Sequence, residues 1–343
     1  MIHEDKLEIV VLTRDRNFYL DKAIKAIELI KFDLPTKFVI SNNSMSKSNN
    51  SFGNHWEVRN RNTNMTFNEH FTTVLSEVKS SWVLITHDDD QLLPNFGTLF
   101  NQYYRDQNIR FISGISEIEN KEISIESVNG YKNRLRKAKL VGKSVFSSEE
   151  LLLKQFKIGS VLPFSAIALR ASLIPKLNLK SFNKYIYVSD YFFALNICEQ
   201  LNVFPDHVAF DAKKPIMKYT LHEGQISYKD NMNYELPIET FMCCIEIYAK
   251  NSNKIKRKTF YKKLITAMYA INSSAEGNKE SRDKSLEHWD NCNLKSLDLK
   301  IFRFFIFKIS PHLPGIQITN KIYNKFYWKA RVILSNFGIL RYK

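Results

Sequence analysis

Residues 82–90, Trp-Val-Leu-Ile-Thr-His-Asp-Asp-Asp, constrain this chain more than any other stretch. Five residues of buried-strand character run straight into three consecutive carboxylates, Asp88, Asp89 and Asp90, and Pro94 closes the turn soon afterwards. Three acids side by side repel one another and are costly to hold together unless a positive charge sits among them. A divalent cation, hard and oxygen-seeking, arriving with the phosphates of a substrate would meet that need. A solvated acidic turn is the alternative reading, and the flanking chain has to decide between them.

The flanking chain alternates strand and helix. Residues 7–12 are short, apolar and rich in β-branched side chains, and they lead into the polar turn Thr13-Arg14-Asp15-Arg16-Asn17. Asn17 is placed as the cap of a helix on which Leu20, Ala23, Ile24 and Ile27 form one apolar stripe. A second strand, residues 37–41, ends in Asn42-Asn43-Ser44; a third covers residues 56–59, and a helix is expected over residues 68–78. After the acids come a helix over residues 95–104 and a strand over residues 110–114. This order predicts a parallel sheet with helices on both faces, whose ligands lie beyond the carboxyl ends of the strands. Thr13 to Asn17, Asn42 to Ser44 and His87 to Asp90 then converge on one edge. The chain has neither a GxGxxG nor a GxxxxGK[ST] motif, so phosphate charge would have to be met by metal and side chains.

Further on, Lys132, Arg134, Arg136, Lys137 and Lys139 form a basic cluster, read either as an acceptor-side excursion or as a solvated loop. Ser147 to Glu150 reads as a capping box ahead of Leu151, and residues 165–169 read as a strand. Asp190 stands at the mouth of a helix over residues 191–201, and a last strand over residues 214–221 ends in His222-Glu223-Gly224-Gln225-Ile226-Ser227. Residues 236–249 and 260–270 have helical spacing, while the polar stretch 272–284 reads as a loop. The expected organisation is an α/β sheet domain over residues 1–228, a helical extension over 229–290 and a basic aromatic segment over 291–343.

Charge matters most in that last segment. The chain carries a formal +15, and residues 291–343 hold ten Lys or Arg against a single Asp. Aromatics interleave with the cations there, at Phe302, Phe304, Phe305 and Phe307, then Tyr323, Phe326, Tyr327 and Trp328. Two readings stand: an amphipathic segment on an anionic membrane surface, or helices packing their aromatics as core. Cys198, Cys243, Cys244 and Cys292 form no CxxC pair, which argues against a zinc ribbon and for a reducing compartment. No signal peptide or spanning segment is expected, so a cytoplasmic protein is expected, and on the membrane reading of the basic segment one that is peripheral on the inner face of the membrane.

Taken together, strand plus TRDRN, strand plus SNNS, strand plus HDDDQLLP, an acid opening a helix, and then HEGQIS resemble the inverting family 2 glycosyltransferases of the GT-A fold, of the bacterial surface-polysaccharide type. The resemblance spans residues 7–227, about two thirds of the chain. It implies an α/β fold with a Rossmann-like mixed, mostly parallel sheet flanked by helices, followed here by an α-helical basic C-terminal extension. It implies a nucleotide-sugar donor, with a UDP-sugar expected, and Mn2+ or Mg2+ as cofactor. The acceptor it implies is a glycan or lipid-linked glycan, at an anionic membrane surface and with no nucleic acid. Thr13, Arg14, Asn17 and Asn43 would line the nucleotide site, with Asp88 on the ribose. Asp89, with Asp90 and His222, would hold the metal, and Asp190 would be the general base.

The chemistry asks for the same set. A departing diphosphate develops negative charge that a metal clamp stabilises, and one carboxylate on the opposite face takes the acceptor proton, a geometry that inverts the anomeric centre. Asp190 also satisfies an ordinary helix cap, with Asp206 and Asp211 as competing acids. His222 also reads as a hydrogen-bonded surface histidine, and His87 as a structural hydrogen-bonder beneath the acids. Two other classes stay open. A nucleotidyltransferase would share the sheet but usually brings a Gly-rich loop after the first strand. A nucleic-acid or polyanion binder would explain +15 and leave the three acids unexplained.

Overall fold

Apolar strands and amphipathic helices build one mixed sheet in the computed structural model, which describes residues 4–14, 16–44, 53–61, 65–119, 144–159, 162–201, 207–220, 235–273, 278–292, 300 and 303. The chain divides into two compact units, Met1–Gln225 and Ile226–Lys343. The first begins with β1 (Glu4–Thr13), α1 (Asn17–Glu28), β2 (Thr36–Asn42), β3 (Trp56–Asn60), α2 (Phe67–Ser76) and β4 (Ser80–His87). It continues with β5 (Gln91–Leu92), α3 (Pro94–Tyr103), β6 (Ile109–Glu119), β7 (Val145–Ser147), α4 (Ser148–Ile158) and β8 (Ile167–Arg170). A 3-10 turn (Ala171–Lys176), α5 (Leu179–Phe182), α6 (Ser189–Leu201) and β9 (His207–Thr220) complete it.

Pro94 takes the first turn of α3, where its missing N–H costs nothing. Arg16, not Asn17, occupies the cap position of α1, and its side chain caps nothing. Leu20, Ala23, Ile24 and Ile27 are buried on α1 as the stripe predicts. Leu20, Ile24 and Ile27 join Leu7, Ile9, Val11, Ile40, Trp82, Leu84, Phe96 and Phe100 in one core on the α1–α3 face of the sheet. The backbones come close where α3 meets the loop after α1. A Cβ on Gly97 would meet Lys31 O at 2.8 Å, so only glycine fits there. The period of two turns Ser41 and His87 to the other face. There α2 covers them, with His70 Nε2 2.7 Å from Ser41 Oγ and the Phe67 ring 5.2 Å from His87.

The sheet runs β3-β2-β1-β4-β8-β6-β9-β5, with β7 also on β9. β3, β2, β1 and β4 are mutually parallel, and so are β6 and β9. β8 is antiparallel to both β4 and β6, and β5 and β7 are antiparallel to β9. Among the described residues, parallel and antiparallel pairings are therefore equal in number, which corrects the mostly parallel sheet expected from the alternation. The reason lies in β8: Ile167, Ala168 and Leu169 are all buried, so their composition is that of a central strand in either direction.

The second unit contains α7 (Glu235–Asn251), α8 (Arg257–Ser273) and α9 (Asn278–Asn291). The loop expected over residues 272–284 is corrected, because α9 begins within it. Ser285 and Trp289, one turn apart, are buried, and Trp289 lies 6.4 Å from Phe241 and 6.2 Å from Phe260. A stripe this narrow leaves little apolar periodicity to read. Among the described residues, no helix is long and apolar enough to cross a membrane.

Candidate active site

Register brings the polar strand ends together. Thr13 pairs with Asn42, Leu12 with His87, and Asn42 with Asn60, so the four parallel strands end level. The ladder then runs one step further. Asn43 N donates to Thr13 O at 3.0 Å, and Asp88 N to Leu12 O at 3.0 Å. Asn43 and Asp88 are thereby fixed on either side of Thr13. Asn43 Nδ2 donates to Met65 O at 2.9 Å, while its buried Oδ1 has no partner.

Asp88, Asp89 and Asp90 are all buried; the first two share Arg16, and Asp90 faces elsewhere. Thr13 Oγ1 donates to Asp88 Oδ2 at 2.6 Å, and the Arg14 N–H reaches the same oxygen at 3.4 Å. One nitrogen of Arg16, Nη1, lies 2.5 Å from Asp89 Oδ2 and 3.5 Å from Asp88 Oδ1. Asp90 turns towards the opposite wall, where it accepts from Ser165 Oγ and, at 3.2 Å, from the N–H of Thr220 at the end of β9. Burial pushes Asp88 up to about 6, against the pull of Thr13 and Arg16. Burial first, then the neighbouring Asp89 charge, pushes Asp90 up to about 8. A proton kept on Asp90 at neutral pH relieves much of the mutual repulsion, and a bound cation would release it.

His87 ends β4 directly beneath this cluster. Its ring meets Phe67 edge-on at 5.2 Å and Phe164 at 5.6 Å, and Nδ1 lies 4.0 Å from Asp90 Oδ2. Nε2 is buried without a hydrogen-bond partner, and burial lowers the imidazole below its ordinary value. One ligand atom each from His87, Asp89 and Asp90 lie within 4.8 Å of one another. Two carboxylates and a neutral imidazole suit a divalent ion such as Mn2+, so the residues present fit a metal.

Asp190 sits in the first turn of α6, and its Oδ1 accepts from Tyr191 N at 2.7 Å. Burial raises its carboxyl. Phe193, three residues on, packs on Phe164 at 5.3 Å and on Phe71 of α2 at 4.9 Å. Phe164 in turn packs on His87, so one aromatic cluster carries α6 to the acidic strand end. Asn68 of α2 fixes the approach to α6 by donating to Phe182 O at 3.1 Å and also to Tyr185 O. Arg14 and Asn17 have exposed side chains beside the same strand end. His222, Asp206 and the basic cluster from Lys132 to Lys139 lie outside the described residues.

Sequence reasoning passed over Arg16, Ser165 and Asn68. The last two act across 75 and 114 residues of separation, and nothing local marks them. Arg16 did leave a sign: a cation just before a helix whose first turn contains no acid.

No protein-family model and no curated protein sequence matches the chain. The fold, however, is one already seen in solved structures. S. aureus TarS 1–349 in complex with UDP superposes with a TM-score of 0.55 at 11% identity, covering 94% of this chain and 92% of that one. The same protein in complex with UDP-GlcNAc gives 0.56 at 10% identity over the same shares, 94% and 92%. At such identity the likeness is one of fold, the mixed α/β architecture described above.

Proposed function

We propose that this protein is an inverting, family 2-type glycosyltransferase that moves a sugar from a nucleoside diphosphate sugar, expected to be a UDP-sugar, to a hydroxyl of a glycan or lipid-linked glycan. The observation that carries this reading is the convergence of Thr13, Asp88, Asp89 and Asp90 at the level ends of β1 and β4. It gains support from the fold shared with TarS, a protein seen with UDP and UDP-GlcNAc.

In this reading, Thr13 and Asn43 flank the nucleoside and Asp88 accepts from the ribose. The unpartnered Asn43 Oδ1 is an acceptor available to the base. Asp89 and Asp90 would hold a divalent ion, with the neutral His87 ring beside them and His222 as a further ligand from outside the described residues. When bound, such an ion supplies positive charge against the leaving diphosphate. Asp190 takes the proton of the acceptor hydroxyl as its oxygen bonds to the anomeric carbon and the bond to the diphosphate breaks. Its raised carboxyl makes it a stronger base than a solvated aspartate. With one base opposite one leaving group, the displacement inverts the sugar. The basic aromatic segment over residues 291–343 would hold the enzyme at an anionic membrane carrying the acceptor.

A thermal-shift panel of UDP-, GDP-, CMP- and dTDP-sugars with and without Mn2+ tests the reading. Stabilisation by one base class that grows with Mn2+ is the expected result, since ligands of the folded state stabilise it by mass action. No shift with any nucleotide sugar would overturn it.

A further inference from the structure

Arg16 breaks a local rule. A cation at a helix N-terminus opposes the helix dipole, and no acid in the first turn of α1 offsets it. Its backbone is nevertheless pinned there, because its carbonyl accepts from Tyr19 N at 3.1 Å and Leu20 N at 3.0 Å. The side chain reaches across to β4 instead. A single nitrogen, Nη1, sits between Asp89 Oδ2 at 2.5 Å and Asp88 Oδ1 at 3.5 Å. A divalent ion held by His87, Asp89 and Asp90 would draw on the same Asp89 carboxylate. A divalent ion on the Asp89 carboxylate would bring two further positive charges within a few ångströms of the guanidinium, so the two cations compete for that carboxylate. Burial does not lock Arg16 in place, since its side chain is 35% exposed against 4% and 8% for its two partners.

We propose that Arg16 is a displaceable internal counter-ion: it neutralises Asp88 and Asp89 until a divalent cation replaces it, and the freed guanidinium then engages the diphosphate that comes with the metal. The proposal rests on the donor-site reading above. Guanidinium pairs well with phosphate oxygens, so the exchange turns one ion pair into another and leaves no cation stranded. Its consequence is cooperativity. Metal alone must break the Arg16–Asp89 pair, whereas metal with diphosphate gives the displaced guanidinium phosphate oxygens to pair with. Each ligand should therefore raise the affinity for the other by the same factor.

Isothermal titration of Mn2+ into the full chain, with and without saturating UDP or GDP, tests this in wild type, Arg16→Gln and Arg16→Lys. Circular dichroism confirms folding, and Arg16→Lys keeps the charge should Arg16→Gln prove unstable. In wild type, Mn2+ should bind weakly alone and about tenfold or more tightly with a diphosphate, typical of coupling between two sites. Arg16→Gln should bind Mn2+ alone about tenfold more tightly than wild type and lose most of the coupling, with Arg16→Lys between the two. Unchanged or weaker Mn2+ binding in Arg16→Gln, or no Mn2+ binding in either protein, would overturn the counter-ion role. If Mn2+ tightens in Arg16→Gln while no diphosphate binds any of the three proteins, the donor-site reading fails and the cation exchange at Asp89 stands.

Discussion

Replacing Thr13 by valine removes one hydroxyl from the site and keeps the β-branched shape that β1 requires. Thr13 Oγ1 lies 2.6 Å from Asp88 Oδ2, and the two residues are 5% and 4% exposed, so water cannot take the place of the lost bond. A hydrogen bond to a charged group contributes about 1.5–3 kcal/mol, and one between neutral groups about 0.5–1.5 kcal/mol. Asp88 titrates at about 6, so its carboxyl is ionised at mildly alkaline pH and mostly neutral below about 5. The substitution should therefore destabilise the protein by about 2 kcal/mol near pH 8 and by about 1 kcal/mol near pH 5. The difference of about 1 kcal/mol corresponds to Asp88 titrating about 0.7 pH unit higher in the variant. The sign follows from linkage. The folded protein holds the Asp88 proton more tightly than the unfolded chain, where it titrates near 3.8, so this group's contribution to stability falls as pH rises from there to about 6 and is level above. In the variant the fall continues to higher pH. Urea unfolding of both proteins at the two pH values measures the gap. Equal losses at both, or a larger loss at the lower pH, would refute the claim that Thr13 serves an ionised Asp88.

His70 gives the opposite slope. Buried beside Arg61, it is held at about 4, so the stability it contributes is full above the ordinary 6.5 and is lost as pH falls through about 4. His70→Gln should remove about 3 kcal/mol of that acid-limb loss, read from urea midpoints between those two pH values, and an unchanged acid limb would contradict it. Asp190→Asn should lower kcat by about 10²–10⁴-fold while donor affinity stays within about twofold, measured by steady-state transfer and by titration of the nucleotide sugar. A variant that keeps full turnover would remove Asp190 from the base role.

Elements whose neighbours in sequence are also their neighbours in space were readable from the chain. β1, α1 and β2 follow one another in sequence and pack together, so the stripe from Leu20 to Ile27 and the β-branched run of β1 were enough to place them. The acids were legible for the same reason, since Asp88 to Asp90 continue β4 directly and Pro94 opens α3. Direction was not legible where both orientations bury the same side chains, as in β8, whose residues pair antiparallel with Trp82 to Ile85. The shell around the acids was hidden by distance along the chain. Ser165 and Thr220 meet Asp90 only because β8 and β9 return to the sheet, and no spacing rule links them to residues 88–90. Arg16 was in plain view within TRDRN. Which arginine of that turn points inward was decided by α1 starting at Asn17, with the Arg14 side chain left in solvent.

Glycosyl transfer at this site requires a metal and a nucleotide to bind at the ends of β1 and β4. A crystal of the full chain grown with Mn2+ and UDP, with data recorded at the manganese absorption edge, locates the ion directly. An anomalous peak in contact with the Asp89 carboxylate, with the diphosphate on its far side and the nucleoside between Thr13 and Asn43, is the predicted result. Manganese and nucleotide bound elsewhere, with Asp89 still paired to Arg16, would contradict it.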